Sequence, residues 1–557
     1  MDLELRPTPC DLFARLDERR DRPRFWVPDG TSWRPVTWGA FALDVEKVAR
    51  ALEAIGLAPG DRAAMLGPSS VSWFASALGI QAAHGVMVPI YPASTADQVA
   101  YVVAHSGAKV LFIDGEALFE RVLERWSEHA NVQRFIWAGE PSALEAIVHN
   151  VRARGRPVPS SAELDRRVMP LSALLARGRD LRAKDPAAFT QMLSSLSLDR
   201  PGTMIYTSGT TGNPKGVVLT HRNFASNARD WIVALEGRAK ENQVDLFWLP
   251  PSHIFGWGEL CNGNILGWTS WLATPKDVLE KMPIVKPSVF LSVPAYWEKL
   301  AQQALAIEDP VARKAHLVAA TGGNLEMCLS GGAGLKARVK EVFLDAGILL
   351  LEGYGLTETS PTLTLNRPDD FRFDTVGKPL ASVRVKLAAD GEILAKGPNV
   401  FLGYHEDPKA TAEAFDEGGW FKTGDIGRFT EDGFLRIVDR KKEILVTAGG
   451  KNVPPQNIEL RFKDDPEIAQ LVVYGDGKKF LVAGVWLHAA IGPETHARVE
   501  ARIAEVNRDL ASYETIKKFT IMERPLTIED GFLTPTLKLK RKKVYEAFGA
   551  QLEALYA

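Results

Sequence analysis

Apolar and polar positions along the first part of the chain switch repeatedly between two periods. Phe41 to Ile55 carries apolar side chains at helical spacing. Gly60-Asp61-Arg62 then turns the chain into the short run Ala63-Ala64-Met65-Leu66, which reads as a buried strand. Ser72 to His84 predicts another helix, Val86-Met87-Val88-Pro89-Ile90 another strand, and Ala108 to Asp114 a third strand. Helices between short apolar strands imply a largely parallel sheet covered on both faces. Residues from Pro141 to Arg200 are helix-rich, charged and less regular, as expected of an insertion over the surface. After Gly377-Lys378-Pro379 the texture changes. Val383-Arg384-Val385-Lys386-Leu387 alternates, and Asp390-Gly391 turns it into Glu392-Ile393-Leu394, a hairpin with a turn signal. Beyond Arg440 a compact mix of strands and helices is long enough for a small separate domain. The expected fold class is α/β: a large N-terminal domain of mostly parallel sheets with helices, a β-rich subdomain, and a small α+β C-terminal domain.

One polar interruption carries chemistry. Tyr206-Thr207-Ser208-Gly209-Thr210-Thr211-Gly212-Asn213-Pro214-Lys215-Gly216 packs glycines, hydroxyls and a lysine into one loop. Glycines allow close approach of backbone to a polyanion. Backbone N–H groups, hydroxyls and an ammonium are what a phosphate chain needs. The Walker A pattern requires glycine before the lysine and Ser/Thr after it, whereas Pro214 and Gly216 stand there. Thr203-Met204-Ile205-Tyr206 and Gly216-Val217-Val218-Leu219-Thr220 both read as strands. The loop is therefore expected to link two strands, with Thr220 capping a helix from His221.

Bulk properties narrow the classes. At 557 residues the chain exceeds one ordinary core, so at least two domains are expected. A net charge of -2 supplies no electrostatic drive toward nucleic acid or an anionic membrane. Cys10, Cys261 and Cys328 are widely spaced, against a disulfide framework or zinc site and in keeping with a reducing cytosol. Met1-Asp2-Leu3-Glu4-Leu5 lacks the basic-then-apolar layout of a signal peptide. No long uncharged apolar run would span a bilayer.

Other motifs are ambiguous one at a time. Leu249-Pro250-Pro251-Ser252-His253-Ile254-Phe255-Gly256-Trp257 follows a strand; His253 and Trp257 alone read as packed core groups. Ser330-Gly331-Gly332-Ala333-Gly334 reads equally as a tight turn or as small residues against a flat ligand. Glu352-Gly353-Tyr354-Gly355-Leu356-Thr357-Glu358-Thr359-Ser360-Pro361 follows the apolar Ile348-Leu349-Leu350-Leu351. That places it at a strand's C-terminal end, where open α/β sheets bind ligands. Tyr354 suits stacking on adenine. Glu358 suits Mg²⁺, which takes few carboxylates and keeps waters, and alone it also reads as a solvated loop acid. Trp420-Phe421-Lys422-Thr423-Gly424-Asp425 alone reads as an Asx turn, and Asp439-Arg440-Lys441-Lys442-Glu443 as an exposed charged hairpin. The basic run Leu533 to Lys543 alone reads as a solvated helix face.

Together and in this order, these motifs closely resemble those of the adenylate-forming enzymes, which include acyl-CoA synthetases, firefly-type luciferases and peptide-synthetase adenylation domains. The resemblance covers essentially the whole chain. It implies residues 1–439 as a large ATP- and acyl-binding domain, 440–442 as a hinge, and 443–557 as a small mobile domain. It places Thr207, Ser208, Gly209, Thr210, Thr211, Gly212 and Lys215 on the phosphates. Gly332, Ala333, Tyr354, Gly355, Thr357, Asp425 and Arg440 fall on the rest of the nucleotide, with Asp425 on the ribose. Thr210 and Glu358 are the implied Mg²⁺ ligands. His253, Trp257 and Gly331 lie at the acyl end, and Trp257 matches a gate tryptophan of long-chain acyl-CoA synthetases. Lys442 matches the pivot, and Gly449, Gly450 and Lys451 line the CoA channel. Lys538 best matches the adenylation lysine; Leu537 stands where many members have glycine, which leaves Lys540 as the alternative.

The implied reaction is ATP-dependent activation of a fatty acid, long-chain by the Trp257 and Val453-Pro454-Pro455 resemblance, to acyl-AMP and then acyl-CoA. Its partners are the fatty acid, ATP and CoA, with Mg²⁺ as cofactor and no nucleic acid. The expected location is cytoplasmic, with a peripheral membrane contact to collect fatty acid; a homodimer is left open. The rival readings are a fatty acyl-AMP ligase serving a carrier protein, and a catalytically silent nucleotide- or lipid-binding protein.

Overall fold

Successive residues of the Arg62–Leu66 strand enter two different cores. Ala63 and Met65 enter one, and Ala64 and Leu66 the other, because side chains alternate across a strand. Helices Trp38–Ala54 and Val71–Ala82 contribute to the first core, and Ala96–Ser106 and Glu116–Glu124 to the second. The computed structural model describes residues 3–140, 142–207, 213–449, 451–463, 465–489, 492, 494–527, 530–533 and 539–557. They form two compact units. The larger is built from Met1–Thr207, Pro214–Val385 and Ala395–Phe421, and the smaller chiefly from Lys386–Leu394 and Lys422–Ala557.

Among the described residues, the larger unit holds sheets of eight and nine strands. In the eight-stranded sheet, Val86–Ile90, Arg62–Leu66, Val110–Ile113 and Arg134–Trp137 run parallel. Pro201–Thr207 joins them in parallel, and Lys215–Thr220 then pairs antiparallel with it. The glycine- and hydroxyl-rich run from Tyr206 to Gly216 therefore joins two strands, as expected. Thr220 caps the helix His221–Ala234: its hydroxyl accepts from Asn223 N, and Asn223 Oδ1 accepts from Thr220 N. In the nine-stranded sheet, Val244–Phe247, Val289–Ser292, Met327–Ser330 and Leu350–Gly355 run parallel. Their Phe247, Leu291, Leu329 and Leu351 enter the same core as Met65 and Met87, so the two sheets share it.

The stretch between Pro141 and Arg200 is more than a surface insertion. Val168–Pro170 extends the eight-stranded sheet beside Arg134–Trp137. Helix Leu171–Lys184 packs on Trp38–Ala54, and Leu171, Leu174, Phe189 and Met192 are buried in the main core. A Cβ on Gly178 would lie 2.0 Å from the Lys47 carbonyl oxygen, so the two backbones touch there. Arg50, also buried, donates to the Leu181 and Asp185 carbonyls at the helix end. One narrow apolar stripe among many charges does this packing, which is why the pattern reads as irregular.

The hairpin at Asp390-Gly391 forms, with Arg384–Leu387 beside Glu392–Lys396. The three-stranded sheet of Ile468–Tyr474, Leu481–Leu487 and Ile516–Ile521 again has two buried faces. Leu471, Val473, Ala483 and Val485 pack with helix Thr495–Asn507; Val472 and Trp486 pack with helix Arg541–Glu553. Glu459 links these parts. It accepts two hydrogen bonds from Arg541, at 2.6 and 2.7 Å, and one from Val473 N at 2.8 Å. The buried Asp439 carboxylate accepts from Gln456 N at 3.1 Å, and burial pushes it up to about 6.

Two outcomes follow from this packing. Gly178→Val, which forces apart two helices in backbone contact, is expected to cost about 1–3 kcal/mol; an unchanged urea midpoint would contradict it. Because Asp439 is raised from 3.8 to about 6 in the folded state, its stabilising contribution is complete below the lower value and lost as pH rises through the upper one. Urea midpoints from pH 4 to 7 should therefore fall in the wild type relative to Asp439→Asn. Parallel curves would refute the assignment.

Candidate functional site

The antiparallel register of Pro201–Thr207 and Lys215–Thr220 sets Thr207 opposite Lys215. Side chains from helix Ala96–Ser106 brace this end of the hairpin. Tyr101 donates to the Pro214 carbonyl at 3.1 Å, and the Tyr206 hydroxyl lies 2.8 Å from His105 Nδ1. His105 also meets His405 edge-on. Burial pushes the Tyr206 phenol up, so it stays neutral. Ser208, Gly209, Thr210, Thr211 and Gly212 lie outside the described residues, as do Gly450 and Lys538.

A second segment meets the hairpin from far along the chain. Gly403–Tyr404 pairs antiparallel with it, Tyr404 opposite Val217. The Tyr404 hydroxyl donates to Glu358 Oε1 at 3.0 Å, and Lys215 Nζ lies 4.8 Å from the Tyr404 ring centroid. Burial, then the Glu358 charge, pushes the Tyr404 phenol up. Thr357 and Glu358 are buried in a short 3₁₀ turn after strand Leu350–Gly355. Phe401 N donates to the Glu358 carbonyl at 2.9 Å.

The structure extends this strand into the motif itself, so Glu352, Tyr354 and Gly355 are strand residues. Gly355 is required sterically: a Cβ there would lie 1.7 Å from the Pro361 carbonyl oxygen. Glu352 is an anchor. It pairs with buried Lys340 and accepts from Leu335 N at 3.1 Å, which fixes the end of the 331–335 loop. Burial pushes its carboxyl up while Lys340 opposes the shift. In that loop Gly332 has φ +85° and is exposed with Ala333, while Gly331 is buried. A Cβ on Gly331 would meet Phe255 Cε1 at 3.2 Å.

Phe255 belongs to helix Ile254–Leu266, which His253 caps: Nδ1 accepts from Phe255 N at 3.3 Å. Trp257, in the same helix, is fully buried, edge-on to Trp73 and Phe224. Trp257 Nε1 and the Ser252, Ser330 and Ser360 hydroxyls are buried without hydrogen-bond partners. These three serines follow or end strands of the nine-stranded sheet. Orphaned polar groups at the C-terminal ends of parallel strands mark where such sheets take ligands.

In the smaller unit, strand register sets Asp425 opposite Arg440, and Arg440 Nε lies 2.8 Å from Asp425 Oδ1. The two nucleotide candidates are thus partners of each other. Lys442 is exposed in the turn after strand Leu435–Arg440. Gly449 and Lys451 lie in the loop joining Leu445–Val446 to Asn452–Val453. Thr447 N donates to the Lys451 carbonyl, and Lys451 N to Thr447 Oγ1. Lys540 precedes helix Arg541–Glu553, its N–H donating to the Phe532 carbonyl at 2.8 Å.

Sequence reasoning missed Tyr404, His105 and the Glu352–Lys340 pair. Only the Gly-Tyr of a two-residue strand hinted at the first, and strand register alone brings it to Glu358. Among the described residues, no group of three or more His, Cys, Asp or Glu side chains gathers to hold a metal. No described helix is long and apolar enough to cross a membrane.

The chain is 33% identical to the long-chain-fatty-acid–CoA ligase FadD15 of Mycobacterium bovis, over 97% of this chain and 96% of the relative. It is 29% identical to the human long-chain-fatty-acid–CoA ligase ACSBG1, over 98% and 84%. Its fold matches the adenylation domain of a Segniliparus rugosus carboxylic acid reductase, solved with AMP and a carboxylic acid, at TM-score 0.80 and 22% identity over 99% and 94% of the two chains. It also matches the anthranilate CoA ligase AuaEII, in complex with anthranoyl-AMP, at TM-score 0.77 and 22% identity over the full length of both. The model of the AMP-binding enzyme accounts for residues 12–405 and that of the AMP-binding enzyme C-terminal domain for 442–557. Between them they leave little of the chain unmatched, and the protein belongs to the AMP-binding enzymes, a family of adenylate-forming ligases.

Proposed function

We propose that this protein activates a long-chain fatty acid with ATP and transfers the acyl group to CoA. The observation that carries the reading is the approach of Lys215 and Glu358 to the same Tyr404 ring. A phosphate-seeking cation and a hard-oxygen ligand then stand at one end of one hairpin. The relatives named long-chain-fatty-acid–CoA ligases, which align along nearly the whole chain, support the choice of acid and acceptor.

In this reading a carboxylate oxygen of the fatty acid attacks the α-phosphorus of ATP. The bond to the β-phosphate breaks, giving acyl-AMP and pyrophosphate. Lys215, with Thr207, Ser208, Gly209, Thr211 and Gly212, holds the leaving pyrophosphate. Tyr354, Gly355, Thr357, Gly332 and Ala333 hold the adenosine, and Asp425 with Arg440 its ribose. Lys538 bridges the carboxylate and phosphate oxygens. Such fixed charges act by stabilising the developing negative charge, and positioning supplies much of the remainder.

Glu358 and Thr210 would hold Mg²⁺. One buried carboxylate suits an ion that keeps waters and takes most of its ligands from substrate phosphates. When bound, it supplies charge neutralisation on the phosphates. His253, Gly331 and Trp257 face the acyl end, where Trp257 packs in the main apolar core against Trp73 and Phe224. For the second step the hinge at 440–442, pivoting at Lys442, withdraws Lys538 and presents Gly449, Gly450 and Lys451 to CoA. The thiolate attacks the acyl carbon, the bond to the AMP oxygen breaks, and AMP leaves.

Pure protein with ATP, palmitate and CoA should yield palmitoyl-CoA, AMP and pyrophosphate. Acyl-AMP accumulating without palmitoyl-CoA would instead identify a ligase that serves a carrier protein. Lys538→Ala should lower adenylation by about 100-fold or more while synthesis of the thioester from supplied acyl-AMP persists. If the first half-reaction survives, Lys540 becomes the adenylation lysine; equal loss of both halves would remove the proposed role.

A further inference from the structure

We propose that Tyr404 is a positioning residue that aims Glu358 and at the same time keeps Lys215 from pairing with it. This rests on the assignments of Glu358 to the metal and Lys215 to the phosphates. A lysine and a glutamate drawn to one place would ordinarily neutralise each other. A direct ion pair would occupy the oxygens meant for a metal and the ammonium meant for phosphate. Here the two charges meet different parts of one intervening side chain. Glu358 Oε1 takes the phenol hydrogen at 3.0 Å, and Lys215 Nζ stands 4.8 Å from the ring centroid. Among the described residues Lys215 forms no ion pair. A cation over an aromatic face is held weakly, enough to place an ammonium yet not enough to keep it from a triphosphate.

The ring is well held. On either side of Tyr404, Leu402 N donates to the Val218 carbonyl at 3.1 Å and His405 N to the Gly216 carbonyl at 2.8 Å. Tyr404 N itself donates to Thr411 Oγ1 at 2.9 Å. The segment leading to it is pinned as well: Asn223 Nδ2 donates to the Pro398 and Val400 carbonyls, and Asn399 Nδ2 to the Thr359 carbonyl. Phe401 N grips the Glu358 carbonyl, and the Phe401 ring packs edge-on to Tyr404, 4.9 Å between centroids. Glu358 is thus held through backbone and side chain by one short stretch, and that stretch is paired with the strand that carries Lys215.

The test is ATP–pyrophosphate exchange by the full-length protein, titrated separately with Mg²⁺ and with ATP. Tyr404→Phe keeps the ring and removes the hydroxyl. It should raise the Mg²⁺ concentration for half-maximal exchange roughly 10- to 100-fold, the worth of one lost hydrogen bond to a charged group. Its rate at saturating Mg²⁺ should stay near that of the wild type. Tyr404→Leu removes the ring too and should additionally raise the KM for ATP, as Lys215 collapses onto Glu358. Glu358→Gln serves as the reference and should raise the Mg²⁺ requirement further or abolish exchange. A purely structural tyrosine would lower the melting temperature and maximal rate in both variants without moving the Mg²⁺ midpoint. An unmoved midpoint in Tyr404→Phe alongside a shifted one in Glu358→Gln overturns the role of Tyr404. An unmoved midpoint in Glu358→Gln overturns the metal assignment itself. If Tyr404→Leu does not fold, Tyr404→Phe still decides the aiming of Glu358, and Tyr404→Met, of similar bulk without an aromatic face, decides the holding of Lys215: an unmoved KM for ATP there overturns it.

Discussion

The register of the hairpin Pro201–Thr207 and Lys215–Thr220 is the constraint on which the candidate site depends. It sets Thr207 opposite Lys215, and the short Gly403–Tyr404 strand docks on its outer edge. A slip of one residue would turn every side chain to the opposite face. Lys215 would then leave the Tyr404 ring, and the partnership with Glu358 would go with it. The neighbouring helix resists such a slip, because Tyr101 and His105 engage Pro214 and Tyr206 through specific hydrogen bonds.

The rest of the larger unit holds that edge steady. Two sheets share one core, so the strand leading to Glu358 and the hairpin bearing Lys215 cannot shift independently without opening it. Close-packed interiors transmit displacement in this way. Burial of unpaired polar groups opposes folding; among those in the larger unit, the Ser252, Ser330 and Ser360 hydroxyls follow or end strands of the nine-stranded sheet. The smaller unit follows a different rule. Its parts are tied by Arg541 and Glu459 and by the Asp439–Gln456 hydrogen bond, polar links that orient segments with modest cores.

Much of this was legible in the chain. The strands Ala63-Leu66 and Val86-Ile90 declared themselves because both faces of a parallel sheet are apolar. The run from Tyr206 to Gly216 stood out because glycine, hydroxyl and lysine seldom crowd together, and it does join two strands as its apolar flanks predicted. The packing of residues 141–200 was not legible, since Gly178 matters only through the helix it touches and its neighbours are charged. Nor was Tyr404, which belongs to a two-residue strand with no periodicity to read. Asp425 and Arg440 were each legible as polar residues in motifs, but their pairing arises from cross-strand register, which no local pattern encodes.

The sequence alone determined the family, the α/β class and the order of the chemical motifs, because each depends on local composition and on spacing within a few turns or strands. Tertiary structure decided which of those residues act together. Glu358 and Tyr404 lie on separate segments, as do Lys340 and Glu352 in a different part of the fold. Their partnerships exist only after long-range strand pairing and a shared core have brought the segments within hydrogen-bond reach. Such contacts carry no signature in the chain, since a tyrosine looks the same whether it faces solvent or a buried carboxylate.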